Sequence, residues 1–217
     1  MNTQRIPRLW PMWVLSAVSL VGVLLVYDTL PEMMPTHYNF KWEVDRTAHK
    51  SLMFAEALLP FLFLAMMEYM PRRKRYAEMR KNHEKAYRMM EIVTAFMLLM
   101  LVWIPILGVR ISEFKVETAL SVLLGVCFAV LGNYMPTIRP NKYFGVKGFW
   151  IRKHESVWRK SQKAGGYLLV GFGISMILAG LTRSSVLYAA AAAVMVLGLL
   201  LVFAWTIVWY QRAEKKE

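Results

Sequence analysis

Six long apolar runs, separated by short charged segments, dominate the sequence. A helix that crosses a bilayer needs about 20 mostly apolar residues. The predicted spans are roughly residues 9–27, 51–70, 88–109, 117–135, 167–181 and 186–210, of which the fifth is the shortest. The sixth has no polar stripe and ends in Trp205, Trp209 and Tyr210, aromatic residues of the kind found at membrane interfaces. The pattern predicts an all-α, polytopic membrane protein with six transmembrane helices.

Composition and charge agree with a membrane protein. Hydrophobic residues make up 57% of the chain, the mean hydropathy is +0.37 and the net charge is +13. In a soluble protein such a charge would indicate nucleic acid. Here it lies between the spans, so we expect contact with the lipid bilayer and no direct nucleic acid binding. Cys127 is the only cysteine and lies in an apolar run, which excludes a disulfide framework.

The basic residues are distributed unequally between the two sides of the predicted membrane. Six of the 27 Lys and Arg residues fall on one side, namely Lys41, Arg46, Lys50, Arg110, Lys115 and Arg183. All the others fall on the opposite side, together with both termini. Because positive charge favours the cytoplasmic side, we expect both termini in the cytoplasm. The surplus of charge there suits a cytoplasmic partner or anionic lipid.

The loop after the first span, "YDTLPEMMPTHYNFKWEVDRTAHK", contains candidate metal or proton ligands. If a helix begins at Asp45, then Asp45 and His49 lie on one face at i,i+4, while Glu56 lies about 10 Å further along the axis. His37 could approach them only by folding of the loop. No cofactor is predicted, and a divalent metal held by these four residues is the weaker alternative to an ordered loop whose His and Asp bond the backbone.

This loop resembles a short bacterial membrane domain of unknown biochemical role that often precedes SdpI-type domains. The matching residues are Leu30, Pro31, Pro35, Thr36, His37, Tyr38, Asp45 and Lys50. Trp42 stands where the domain has a turn glycine, a residue that readily supplies a positive φ.

The stretch after the fourth span mixes cations with aromatic residues. On a helix over 150–162, one arc contains Trp150, Ile151, His154, Val157, Trp158 and Ser161, and the opposite side contains Arg152, Lys153, Ser156, Arg159 and Lys160. This pattern predicts a cytoplasmic amphipathic helix at the membrane interface, with Trp at the headgroup level and cations toward water and anionic lipid. We expect the helix to end at Gly165 and Gly166, before the fifth span.

The same stretch resembles the SdpI family of bacterial immunity proteins. The matching residues are Gly132, Asn133, Pro140, Asn141, Gly145, Trp150, Trp158 and Gly166, whereas Lys147 and Arg152 stand where the family pattern has Arg and Leu. The resemblance implies a multi-pass protein of the bacterial cytoplasmic membrane that protects its cell from a secreted toxic peptide. It also implies a possible cytoplasmic regulator that is held at the membrane to report the toxin.

We accordingly divide the chain into a two-helix domain with an outer loop, residues 1–87, and a four-helix SdpI-like domain, residues 88–217. The candidate binding residues are His37, Asp45, His49, Lys50, Glu56, Asn133, Asn141, Gly145, Lys147, Trp150, Arg152 and Trp158.

Glu56, Glu91 and Asn133 are candidate polar residues inside the predicted spans. Glu56 and Glu91 lie near span ends, where their carboxylates can reach the interface. Glu91 also lies three residues from Arg88, a suitable local ion pair, and Asn133 needs a neighbour to satisfy its amide. No catalytic motif is visible, so we expect no catalysis. The alternatives are a transporter with Glu56 or Asn133 on its pathway, or a metal-dependent hydrolase using the His, Asp and Glu residues of the outer loop.

Overall fold

The computed structural model describes residues 8–39 and 42–215, and at positions 71, 74, 75, 78 and 79 it describes the backbone only. Within these ranges the helices are α1 (Trp10–Val26), α2 (Leu52–Tyr69), α3 (Lys74–Asn82), α4 (Glu84–Arg110), α5 (Val116–Tyr134), α6 (Phe149–Lys153), α7 (Glu155–Thr182) and α8 (Ser185–Glu214). Two strands, β1 (Met33–Tyr38) and β2 (Val44–His49), lie between α1 and α2. Six of these helices, α1, α2, α4, α5, α7 and α8, are long and apolar enough to cross a membrane. The predicted all-α architecture with six spans is confirmed.

The connections between the spans define two ends of the bundle. The hairpin end contains β1, β2 and the connections 111–115 and 183–184, and the basic end contains residues 70–83 and 135–154. At the hairpin end Arg183 pairs with Glu117, with Nε 3.5 Å from Oε1. Lys41, Arg5 and Lys216, three of the cations that entered the charge distribution, lie outside the described residues.

The loop after the first span forms an antiparallel hairpin. Met33 pairs with His49, and Tyr38 pairs with Val44. The predicted helix that begins at Asp45 is therefore wrong, because residues 44–49 are a strand. Four strand residues span about 13 Å, so Asp45 and His49 are much further apart than at i,i+4 of a helix. Met34 is fully buried and anchors the hairpin in the core between α1, α2 and α4.

The fifth span begins earlier than predicted. α7 runs without interruption from Glu155 to Thr182 and passes through Gly165 and Gly166. The break lies instead at His154, whose extended backbone (φ −120°, ψ 125°) separates the five-residue α6 from α7. The predicted single interfacial helix is thus α6 followed by the first turns of the fifth span.

Glycines explain why α7 stays intact, since they form its contact with α5. A Cβ built on Gly132 would lie 2.7 Å from the carbonyl oxygen of Gly166. A Cβ on Gly173 would lie 2.4 Å from the carbonyl oxygen of Gly125. Small residues let membrane helices approach closely and gain dispersion contacts. The glycines therefore act as packing positions rather than as helix breaks.

The first three spans pack together through polar contacts as well as apolar ones. Trp103 Nε1 of α4 donates to Ser19 Oγ of α1 at 2.9 Å, and the indole ring covers Gly22. Tyr87 Oη of α4 donates to the carbonyl of Met67 in α2 at 3.0 Å. Because α4 contacts α1, α2 and α5, it joins the first two spans to the rest of the bundle. The division at residues 87 and 88 stays a prediction.

Candidate functional site

Two separate pairs contain the predicted ligands of the hairpin. His37 Nδ1 lies 2.6 Å from Asp45 Oδ1, and His49 Nε2 lies 3.2 Å from Glu32 Oε2. All four residues are exposed. Within residues 8–39 and 42–215, no three His, Cys, Asp or Glu side chains are grouped so that they could hold a metal ion. The structure therefore brings His37 to Asp45 but does not bring either to His49 or Glu56 as a ligand set.

Lys50 joins the end of the first span to the start of the second. Its Nζ lies 5.0 Å from the centre of the Tyr27 ring and 3.6 Å from Glu32 Oε1. It also donates to the carbonyl of Leu30 at 3.4 Å. Only 13% of this side chain is exposed, so the mostly buried Lys50 stabilises the base of the hairpin, where it meets the two spans.

Trp42 adopts the backbone conformation that a glycine would supply at this turn in the similar N-terminal membrane domain. Its φ is 64°, in the left-handed region that L-residues other than glycine rarely occupy. The indole ring packs against Tyr188 near the start of α8, with the ring centres 5.4 Å apart. Tyr188 in turn lies 2.6 Å from Ser121 Oγ of α5 through its hydroxyl. The hairpin thus contacts the last span through a strained tryptophan.

Glu56 lies in a cleft below the hairpin, between β1, α2, α4 and α5. The cleft has a volume of about 240 Å³, and its walls are mostly apolar. Glu56 is partly buried, and within the described residues its carboxylate makes no hydrogen bond or ion pair. Tyr38 lines the rim of the cleft, and burial raises the pKa of its phenol. A carboxylate without a partner in an apolar cleft can accept a cationic donor.

At the basic end, Asn141 organises the turn that follows α5. Its Oδ1 accepts from the backbone N–H of Tyr143 at 2.7 Å and of Phe144 at 2.9 Å, and its Nδ2 donates to the carbonyl of Arg139 at 2.9 Å. Asparagine favours turns because its short amide can bond the nearby backbone in this way. The side chain of Asn141 is therefore engaged within the loop.

Gly145 and Gln162 fix the next part of the loop. Gly145 has a φ of 101°, and a Cβ there would lie 2.4 Å from Gln162 Oε1. The buried Gln162 amide brackets Val146, since Oε1 accepts from its N–H and Nε2 donates to its carbonyl, each at 2.9 Å. Only glycine suits this position, both for its conformation and for its space. Gln162 was missed from the sequence because its partner lies sixteen residues away.

The predicted apolar arc packs largely on other parts of the protein. Trp158 is fully buried, and its Nε1 donates to the carbonyl of Ile138 at 2.7 Å. Trp150 Nε1 donates to Thr206 Oγ1 of α8 at 3.1 Å. Ile151, Val157 and Ser161 are also buried, whereas the cations of the opposite side are exposed. The composition of the two faces is as predicted, but the apolar face covers the ends of the spans at the basic end.

Exposed cations surround a shallow depression on this loop. Lys142, Lys147 and Arg152 line it together with Phe149, and its volume is about 310 Å³. The ammonium group of Lys147 also donates to the carbonyl of Tyr143. These side chains give the loop a positive, solvent-facing surface.

The remaining polar residues of the spans have different environments. Asn133 is exposed on the last turn of α5, so it needs no partner inside the bundle. Glu91 is fully buried, and its Oε2 lies 3.0 Å from Arg88 Nη1. The local pair is confirmed, but the expectation that the Glu91 carboxylate reaches the interface is wrong.

His83 is buried at the basic end, and its contacts were not predicted from the sequence. Its Nδ1 accepts from the backbone N–H of Arg139 at 3.4 Å, and its ring meets the edge of Phe144 with centres 5.3 Å apart. Burial lowers the pKa of His83, and the charge of Arg139 lowers it further. His83 therefore acts as a neutral acceptor between α3, α4 and the loop.

Comparisons with known families match two regions of the chain. Residues 14–64 match a model described as a domain of unknown function, DUF1648, and residues 137–210 match the SdpI/YfhL protein family. No curated protein and no solved structure matches the chain. The first region contains the hairpin and Glu56, and the second contains α7, most of α8 and residues 137–154 of the basic end, which form the basic loop. The resemblance found in the sequence is therefore confirmed: the chain carries an SdpI/YfhL family region, preceded by the DUF1648 domain, in a membrane protein with six spans.

Proposed function

We propose that this protein gives its cell immunity to a secreted toxic peptide, which it meets at the hairpin end. The match of residues 137–210 to the SdpI/YfhL family supports this proposal most directly, because the family resemblance implies immunity. The exposed hairpin and the cleft beside Glu56 supply a surface that a peptide can reach. No catalytic step is needed for this function.

The proposed location is the bacterial cytoplasmic membrane, with the hairpin end outside and both termini in the cytoplasm. In the sequence, 21 of the 27 Lys and Arg residues fall in the two termini, residues 72–88 and residues 139–163, on the side of the basic end. Positive charge favours the cytoplasmic side. In a Cys127→Ser background, a cysteine placed at Thr36 should react with an impermeant reagent added outside, and one at Lys153 should not. The reverse labelling would refute this orientation.

Protection can be tested in sensitive cells that are exposed to a panel of secreted, membrane-active peptides. Cells that express the protein should keep their membrane potential against the cognate peptide. The variants His37→Ala, Asp45→Ala and Glu56→Ala should each reduce protection, with protein levels in the membrane quantified by immunoblot. The matched control at the basic end, Lys147→Ala with Arg152→Ala, should protect as well as the unchanged protein.

The opposite result, with loss of protection only in the basic-end control, would contradict the assignment of the toxin to the hairpin end. Zinc or another divalent metal bound to the purified protein and released by His37→Ala would instead favour the hydrolase alternative.

A second function, signalling to a cytoplasmic regulator, is supported by the contacts of α8. Near its start Tyr188 meets Trp42 of the hairpin, and near its end Thr206 and Tyr210 hold α6 through Trp150 and Lys153. This 30-residue helix is about 45 Å long, so one rigid element contacts both ends of the bundle.

Signalling through α8 predicts that a peptide bound at the hairpin changes the exposure of the basic loop. Hydrogen exchange of residues 139–153 should change when the cognate peptide is added to the protein in nanodiscs. Trp42→Ala should weaken that change while the hairpin still binds peptide. If exchange in the loop is unaffected by peptide that is bound at saturation, the signalling function fails and immunity is tested separately.

A further inference from the structure

We propose that the cleft beside Glu56 binds a primary ammonium group carried on an apolar chain. This deepens the proposed function and rests on it for the natural ligand, which would then be a lysine side chain or the amino terminus of an apolar peptide. The binding site itself is argued from the groups that line the cleft.

The first argument is charge. Glu56 lies in the second turn of α2, within a helix long and apolar enough to cross the membrane. An ionisable group in a span is costly, and such groups are usually paired or functional. Glu56 has no ionic or hydrogen-bonding partner among the described residues. Among residues 8–39 and 42–215, those that line the cleft include no Lys, Arg or His, so no described wall residue supplies a cation to Glu56.

The second argument is the supply of acceptors. Pro105 lies in the cleft wall and inside α4, and because proline has no N–H, it cannot donate to the carbonyl of Leu101, which lines the same cleft. Thr36 Oγ1 donates to the carbonyl of Arg46 at 3.3 Å, which leaves its lone pairs free to accept. An ammonium group has three donors and no acceptor, so it suits a cleft whose lining residues include a carboxylate and these two further acceptors.

The third argument is the shape and polarity of the walls. Leu59, Leu98, Val102 and Leu120 line the remainder of the cleft. Its volume of about 240 Å³ corresponds to roughly eight water molecules, enough for an ammonium group with several methylenes. An alkyl chain against these side chains would replace water at apolar surface, which favours binding. The same walls and the carboxylate disfavour an anion.

The test uses purified protein in nanodiscs of phosphatidylcholine, without any toxin. One probe is an alkyl diazirine with a terminal primary amine, and its matched control has a terminal hydroxyl on the same chain. After irradiation, mass spectrometry should place the amine probe on residues 35–38 and 98–105. The hydroxyl probe should label these residues at least about tenfold less, since a hydrogen bond between charged groups contributes this much or more.

Two variants separate charge from shape. Glu56→Gln should reduce labelling by the amine probe about tenfold and leave the hydroxyl probe unchanged. Glu68→Gln, on the same helix but outside the cleft, should change neither. Leu59→Trp should reduce labelling by both probes, because it fills the cleft from a position that is 45% exposed, and it keeps the test available if Glu56→Gln fails to fold.

Equal labelling by the two probes, or labelling by the amine that Glu56→Gln does not change, would overturn the proposal. Nanodiscs that contain phosphatidylethanolamine distinguish the source of the amine. If this lipid competes with the probe in a Glu56-dependent way, the site is supported but its natural ligand is a lipid headgroup, and the peptide assignment is overturned. Amine binding without protection in cells would refute the proposed immunity and not the site, whereas protection without amine binding would do the opposite.

Discussion

The glycine contact between α5 and α7 predicts that one methyl group at Gly173 destabilises the bundle. A Cβ there would lie 2.4 Å from the carbonyl oxygen of Gly125 and 2.8 Å from the backbone nitrogen of Ala129. These distances are about 1 Å shorter than ordinary contacts, and both contacted atoms are backbone. Since no side chain can rotate away, the helices must separate. Overpacking of this kind costs about 1–3 kcal/mol.

Gly171 supplies a matched control two residues earlier on the same helix. A Cβ at Gly171 would meet nothing within 4 Å. Replacing glycine by alanine inside a helix stabilises it by up to about 1 kcal/mol, and this gain applies to both positions. The difference in unfolding free energy between Gly171→Ala and Gly173→Ala therefore isolates the steric effect, and Gly173→Ala should be less stable by about 1–3 kcal/mol.

Reversible unfolding in mixed micelles, followed by tryptophan fluorescence and far-ultraviolet circular dichroism, measures this difference. The buried Trp158 supplies part of the fluorescence signal. Equal stability of the two variants would refute the close approach of α5 and α7. A more stable Gly173→Ala variant would refute it more strongly.

Three further predictions follow from single residues. Trp42→Gly should be more stable than Trp42→Ala by about 1 kcal/mol in thermal unfolding, because both lose the indole contact and only glycine relieves the positive φ; a more stable alanine variant would contradict the strain. Burial and the charge of Arg139 lower the pKa of His83 in the folded protein. In acid the unfolded chain therefore binds more protons than the folded one. The contribution of His83 to stability is fully present above about pH 6.5 and is lost as the pH falls. His83→Asn should flatten this dependence, and an unchanged slope would rule out His83 as its source. Gly145→Ala should expose the loop to protease, since it combines a φ of 101° with a clash on Gln162; protease resistance equal to that of the unchanged protein would argue against the clash.

The spans could be predicted from the sequence because hydropathy depends on composition over about 20 residues and not on distant contacts. Their boundaries could not. Gly165 and Gly166 suggest a break in a soluble helix, but in a membrane helix small residues are packing positions. Glycines at 125, 132, 166, 173 and 180 recur at intervals of seven in both α5 and α7. This periodicity was the available signal for the contact.

The hairpin shows how a local pattern is overridden by a partner strand. Asp45 and His49 fit one helix face, but Met33 and Pro35, which precede them by ten residues or more, pair with their strand instead. The pattern of the similar N-terminal membrane domain was more informative than the spacing of Asp45 and His49. Its glycine marks a positive φ, and Trp42 adopts one. By contrast, the ion pair between Arg88 and Glu91 was predictable, because the two residues are only three positions apart.

The contacts of Gln162 with Val146 and of Trp158 with Ile138 in the basic loop join residues 16 and 20 positions apart, so they were not predictable individually. Positions that match the SdpI-family pattern and positions that depart from it have different environments in the loop. Asn141, Gly145 and Trp158 match the pattern, and each is engaged in the turn, the close approach or the buried hydrogen bond that builds the loop. Lys147 and Arg152 depart from the pattern, and their side chains face solvent on that loop. Since the loop is held by the matching residues together with the buried Gln162 and His83, its exposed surface can change without loss of its fold. If the basic end recruits a partner, the residues that select that partner are then found among the exposed cations rather than among the motif residues. Lys147→Arg, which restores the residue of the family pattern, should leave the fold intact and alter only the choice of partner.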